Sequence, residues 1–152
     1  DGEVPVALRP QVLQAVDRLA EIIRDEQEAA GSDGPPGGEP AVVVVDSRTR
    51  PRMVRRLGHA VAARLGARAL GVVGLSGQEP PQHDVGSAFR LAQVARSLTL
   101  QGWSAQALDE LRERTVVLVD DWSDSGWTLT TAAFLLREAG AAAVHPFVLA
   151  QR

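Results

Sequence analysis

The stretch VVLVDDWSDSGWTLTT, residues 116–131, decides how the rest of the chain is read. An apolar run stops at two carboxylates, Asp120 and Asp121. A Ser/Gly/Thr-rich turn follows at once, and a helical pattern over 129–139 is closed by Gly140. A continuous β-branched run is the mark of a strand buried on both faces. A strand passing through a tight turn into a helix is the first half of a parallel β-α-β unit.

Working outward, the same alternation recurs. AVVVV (41–45) and ALGVVGL (69–75) read as buried strands, 144–150 as a last strand, and 96–100 as a short one. Between them, Pro51 opens a helix whose Val54, Leu57, Val61 and Leu65 share a face, and Gly66 stops it. Residues 105–114 make a short helix. Near the N-terminus, residues 9–30 place Val12, Val16, Leu19 and Ile23 on one stripe, with Pro10 in the first turn. The fold class is therefore α/β, three-layered, with a mostly parallel sheet and helices on both faces. GSDGPPGGEP (31–40) cannot continue a helix or a strand. The expected organisation is an N-terminal helix and Gly/Pro-rich connector over 1–40, followed by the α/β domain over 41–152. A long loop is expected over 76–96.

Composition narrows the chemistry. The chain has 152 residues, 45% of them hydrophobic, and a net charge of -3. It has no cysteine, which excludes disulfides, Cys-based zinc sites and cysteine nucleophiles. No run approaches the roughly 18–20 apolar residues of a membrane span, so a cytoplasmic protein without membrane partners is expected. All sixteen basic residues are arginine. Without lysine there is no Schiff base and no Walker-type phosphate loop. Phosphate would have to be held by arginine, backbone N–H groups or hydroxyls. Seven arginines and no acid fall within 47–68, whereas 1–40 carries nine acids and three bases.

Ligands of open parallel sheets bind beyond the carboxyl ends of the strands, which is where Asp120 and Asp121 fall. The turn beyond them leads into a helix N-terminus, whose unpaired N–H groups and dipole favour an anion. Gly126 allows close backbone approach, and the hydroxyls of Ser125 and Thr128 add donors. Two carboxylates suit the vicinal hydroxyls of a sugar. Together they describe a ribose 5-phosphate.

That combination resembles the signature of the type I phosphoribosyltransferases, in which a hydrophobic strand, two acids and a Ser/Thr-Gly-x-Ser/Thr turn bind phosphoribosyl pyrophosphate (PRPP). The resemblance covers 116–128 without a gap. It implies that Asp120 and Asp121 contact the ribose hydroxyls and that the turn Asp124-Ser125-Gly126-Trp127-Thr128 holds the 5-phosphate. Asp124 stands where purine-type members place a general acid/base, and it reads equally as a helix N-terminal charge. The resemblance also implies a pyrophosphate loop after the first strand, here Ser47, Arg48, Thr49 and Arg50 within DSRTRP (46–51). This loop departs from the family's small, Gly-containing form, which puts the transfer reaction in doubt and leaves the phosphate pocket standing. The family's flexible loop would supply Ser87 and Arg90. Mg2+ accompanies PRPP in active members, with no direct protein metal site and no zinc expected. The chain closes just after its last strand, so a base-binding hood is expected only from 1–40.

VVVVDSRTRPRMVRRLG, GSAFRLAQV and LVDDWSDSGWTLTTAAFLLREAGAAAVHPFVLA together resemble, over about 41–152, the C-terminal phosphoribosyltransferase-homology domain of actinobacterial-type RecQ-like ATP-dependent DNA helicases. Helicase activity is implied for such a parent only. Three functions stay open: an accessory domain that binds a nucleotide or PRPP-type ligand, a magnesium-dependent phosphoribosyltransferase of nucleobase-salvage type, and a non-catalytic protein- or DNA-end-interaction domain. DNA would be met through the parent helicase or through 5-phosphate ends, at the helix face of Arg52, Arg55, Arg56 and His59. Members of this fold are often homodimers.

Overall fold

The five residues of β1 (Ala41–Val45) lie at the centre of the molecule and all are buried. Their branched side chains suit a strand covered from both sides. A computed structural model of the chain describes residues 9–31, 39–75, 98–123 and 126–151. The other strands are β2 (Arg68–Leu75), β3 (Leu98–Thr99), β4 (Thr115–Ser123) and β5 (Ala143–Gln151), in the spatial order β3-β2-β1-β4-β5. β1 pairs in parallel with β2 and β4, and β4 in parallel with β5, while β3 is antiparallel to β2. Helices α1 (Arg9–Ala29), α2 (Pro51–Leu65), α3 (Ala105–Leu111) and α4 (Trp127–Glu138) cover the sheet. This is the three-layer, mostly parallel architecture expected from the alternation of elements.

Each face has its own core. Val16 and Ile23 of α1 and Leu57 of α2 pack on Val42, Val117 and Val119. Leu111 of α3 and Leu136 of α4 pack on Val43, Val116 and Leu118. Successive strand residues thus feed opposite layers, as the period of two requires. Arg64 of α2 ties α1 to its neighbour through a two-pronged ion pair with Asp17, at 2.8 Å on each arm. Among the described residues, no helix is long and apolar enough to cross a membrane.

Two glycines set close approaches. Gly58, mid-helix in α2, lies against Val44 so closely that a Cβ there would overlap Val44 Cγ2. Glycine costs about 1 kcal/mol in a helix interior, and here it lets α2 rest directly on β1. Gly71 lies under the Trp103 ring, whose Nε1–H donates to the Val72 carbonyl at 2.7 Å. Next to it the β1–β2 register slips, Val42 facing Ala69 and Val43 facing Gly71, so that Leu70 is an extra residue.

Several boundaries differ from expectation. β4 continues beyond Asp120 to Ser123, and α4 begins at Trp127. α3 ends at Leu111, three residues early, because Glu113 takes a left-handed φ of 59° and donates its N–H to Gly140 at 2.8 Å. The expected flexible loop with Ser87 and Arg90 lies outside the described residues, as do Asp124 and Ser125.

The connections locate the ligand side. β1 passes through α2 to β2 on one side, and β4 passes through α4 to β5 on the other, with the two helices on opposite faces. The strand order therefore reverses between β1 and β4. The crevice at the carboxyl ends of such a pair is where open α/β sheets take ligands.

Candidate functional site at the β1–β4 switch point

β1 and β4 pair from Ala41↔Val116 to Val44↔Val119, and there the ladder ends. β4 goes on beside β5 alone, with Asp120 opposite Val148 and Ser123 opposite Gln151. Asp120 and Asp121 are thus the first β4 residues freed from β1, at the mouth of the crevice. Asp120 is 6% exposed, and its Oδ1 accepts the Asp121 N–H at 2.8 Å. Burial, and after it the hydrogen bond shared with the Asp121 side chain, push the Asp120 carboxyl up from 3.8 to about 7. Near neutrality the pair therefore offers both an acceptor and a shared proton, a mixed set that suits hydroxyls, which donate and accept alike.

The opposite wall is the loop after β1. Asp46 prolongs the β1–β2 ladder by donating its N–H to Val73 at 3.0 Å. Its Oδ1 accepts from Ser47 N–H at 3.1 Å and from Arg55 Nη2 at 3.4 Å. Ser47 Oγ accepts the Arg50 N–H at 3.0 Å, folding the loop into the start of α2, where Pro51 stands in the first turn. Arg50 Nη1 reaches across the crevice to Asp121 Oδ2 at 3.9 Å.

The third wall is the start of α4. Gly126, at φ 76°, is its N-cap, and its carbonyl accepts the first helical bond from Thr130 at 2.9 Å. Glycine suits this left-handed position, and it carries no side chain to cap the helix. The N-cap residue itself makes no side-chain cap bond, and the first-turn N–H groups of Trp127 and Thr128 point out of the helix start, where an anion is favoured. The Trp127 ring packs against the α3/α4 core layer, so this residue offers a ligand its backbone and not its ring. Trp122, by contrast, is 49% exposed beside the acid pair.

Of the residues singled out in the sequence, Asp120, Asp121, Ser47 and Arg50 meet in this crevice. Gly126, Trp127 and Thr128 form the helix start just beyond it. Arg48 and Thr49 are exposed on the loop. The sequence reading passed over Asp46 and its pairing with Arg55. The available signal was a carboxylate directly after a buried strand, the same signal that marked Asp120.

The family model for the phosphoribosyl transferase domain matches residues 7–152. The fold is similar to a hypoxanthine phosphoribosyl transferase of Trypanosoma cruzi, with 14% identity and a TM-score of 0.54 over 94% of this chain and 66% of that one. It is similar to a purine phosphoribosyltransferase from Pyrococcus horikoshii Ot3, at 22% identity and a TM-score of 0.51 over 93% and 73%. A hypoxanthine phosphoribosyltransferase from Staphylococcus aureus gives 12% and 0.54 over 93% and 63%. At these identities the likeness is one of fold, and the chain spans about two thirds of the length of these transferases. No curated protein matches it in sequence. Family model and fold agree over nearly the whole chain, which therefore belongs to the phosphoribosyl transferase domain family.

Proposed function

We propose that the β1–β4 crevice binds a phosphoribosyl ligand: ribose 5-phosphate, a nucleoside 5-monophosphate or PRPP. The observation that carries this is the juxtaposition at one switch point of a buried carboxyl pair and a helix N-terminus opened by a glycine N-cap. Asp120 and Asp121 take the sugar hydroxyls. The turn Asp124-Ser125-Gly126-Trp127-Thr128 takes the 5-phosphate, with Asp124 as the general acid/base if transfer occurs. Mg2+ is the ion implied for PRPP. It would rest mainly on the ligand's own oxygens, since Asp120 and Asp121 are given to the sugar hydroxyls and no group of three or more metal-binding side chains occurs among the described residues. Bound there, it would neutralise diphosphate charge.

Calorimetric titration with ribose 5-phosphate, AMP and PRPP tests the pocket. Binding should fall by about ten-fold or more in Asp120→Asn/Asp121→Asn, on the scale of losing two hydrogen bonds to charged groups. Ligands held equally well by that variant would place the site elsewhere.

A second reading, a working transferase acting on a purine-type base, draws support from the similarity of fold to hypoxanthine and purine transferases. Release of pyrophosphate from PRPP and a base would establish it. The resemblance of 41–152 to a helicase-attached domain supports an accessory role on a RecQ-like DNA helicase. DNA would then be met through that parent or at a 5-phosphate end.

A further inference from the structure

Resting on the phosphoribosyl reading, the loop after β1 decides what the ligand carries at its anomeric carbon. With the 5-phosphate on the start of α4 and the diol on Asp120 and Asp121, C1 would face the remaining wall, the loop of residues 46–50. A diphosphate on C1 would need free amides and free guanidinium groups there. Two of the loop's amides, and the guanidinium groups of Arg50 and Arg55, are committed inward. Ser47 N–H is held by the Asp46 carboxylate at 3.1 Å, and Arg50 N–H by Ser47 Oγ at 3.0 Å. The Arg55 guanidinium is paired with Asp46 at 3.4 Å, and that of Arg50 with Asp121 at 3.9 Å.

The electrostatics run the same way. Asp46 and Asp121 keep only 26% and 10% of their side chains exposed, so neither is well screened by solvent. A diphosphate drawing Arg50 and Arg55 to itself would leave both carboxylates without their cations, facing several negative charges of the ligand. Breaking an ion pair at a partly buried carboxylate costs more than the pair itself contributes. A ligand with a hydroxyl or a neutral base at C1 needs no such exchange.

We infer that this site takes the 5-phosphomonoester of ribose, bare or with a nucleobase at C1, and excludes the C1 diphosphate, with Asp46 as the specificity-determining residue. Asp46 acts from the loop, by holding the Ser47 N–H and Arg55 and by its own charge.

The test is calorimetric titration of the chain with ribose 5-phosphate, AMP and PRPP, each with and without Mg2+. Wild type should bind the two monophosphates without Mg2+, and PRPP with Mg2+ about ten-fold more weakly or worse, as expected for about 1.4 kcal/mol or more of uncompensated charge. Asp46→Asn keeps the size of the side chain and removes its charge. It should narrow the gap about three-fold or more by strengthening PRPP binding while leaving ribose 5-phosphate nearly unchanged. PRPP binding as tight as ribose 5-phosphate, or tighter, in wild type would overturn the inference and leave the phosphoribosyl reading intact. So would an unchanged gap in Asp46→Asn. Failure of all three ligands to bind would remove the phosphoribosyl reading, and the inference with it. The wild-type ranking needs no variant to fold.

Discussion

Asp120 continues a strand whose preceding residues are apolar and buried, and its carboxyl keeps its proton up to about pH 7. In the unfolded chain the same group ionises near its ordinary 3.8. Between those values the folded protein binds the extra proton, so this residue makes stability fall as pH rises through that window and level off above it. Asp120→Asn retains an oxygen to accept the Asp121 N–H and removes the buried charge. Variant and wild type should therefore unfold at nearly the same urea concentration at pH 4. At pH 8 the variant should be more stable by about 2–4 kcal/mol, at ~1.4 kcal/mol per unit of displaced pKa. A gain that does not grow with pH would show that the carboxyl is well solvated. Retaining a destabilising carboxylate is understandable where it faces a ligand, since such positions commonly trade stability for function.

At the scale of elements, the β2 bulge depends on one ring. An Ala at position 71 would put its Cβ 2.8 Å from Trp103 Cζ2, and the ring cannot retreat without losing its 2.7 Å bond to the Val72 carbonyl. Gly71→Ala should cost about 1–3 kcal/mol and shift the tryptophan emission. Gly74→Ala, whose Cβ would meet Thr99 at an ordinary 3.7 Å, should cost far less. Thermal unfolding of the two variants compares them, and equal losses would mean that Trp103 does not lock the strand. Gly71 inside ALGVVGL is a generic sign of a bulge or a close approach, but the ring it meets, Trp103, lies far along the sequence and could not be read from it. The elements that were legible are those whose signal is local: the valine run of β1, the apolar stripes of α1 and α2, the Gly66 stop. The end of β4 was not, because its last residues are held by β5 and not by their own pattern. The candidate site divides the same way. Asp120, Asp121 and the turn beyond are contiguous and could be read together. The pairing of Arg50 with Asp121 exists only once β1 and β4 lie side by side.

Over the whole molecule the charge is -3, with acids gathered in 1–40 and seven arginines between 48 and 68. The fold neutralises part of that patch internally, Arg64 with Asp17, Arg68 with Glu110 and Arg55 with Asp46. It also lays the acidic α1 on the same face of the sheet as α2. Tight non-specific binding to duplex DNA through counter-ion release is therefore not expected. A DNA 5-phosphate end is a different ligand. It offers a phosphomonoester to the start of α4, and Arg52, Arg55, Arg56 and His59 of α2 are exposed as a second, basic surface. It has no vicinal diol, since the 2-hydroxyl is absent and the 3-oxygen is esterified, so Asp120 and Asp121 gain nothing from it. On the proposed DNA-end role, a 5-phosphorylated oligonucleotide should bind about five-fold or more tightly than its 5-hydroxyl counterpart, as one added charge-assisted contact allows. Excess ribose 5-phosphate should abolish the difference, because both ligands need the same helix start. Fluorescence anisotropy at low salt measures both effects. Equal affinity for the two oligonucleotides would remove DNA ends as ligands of this pocket.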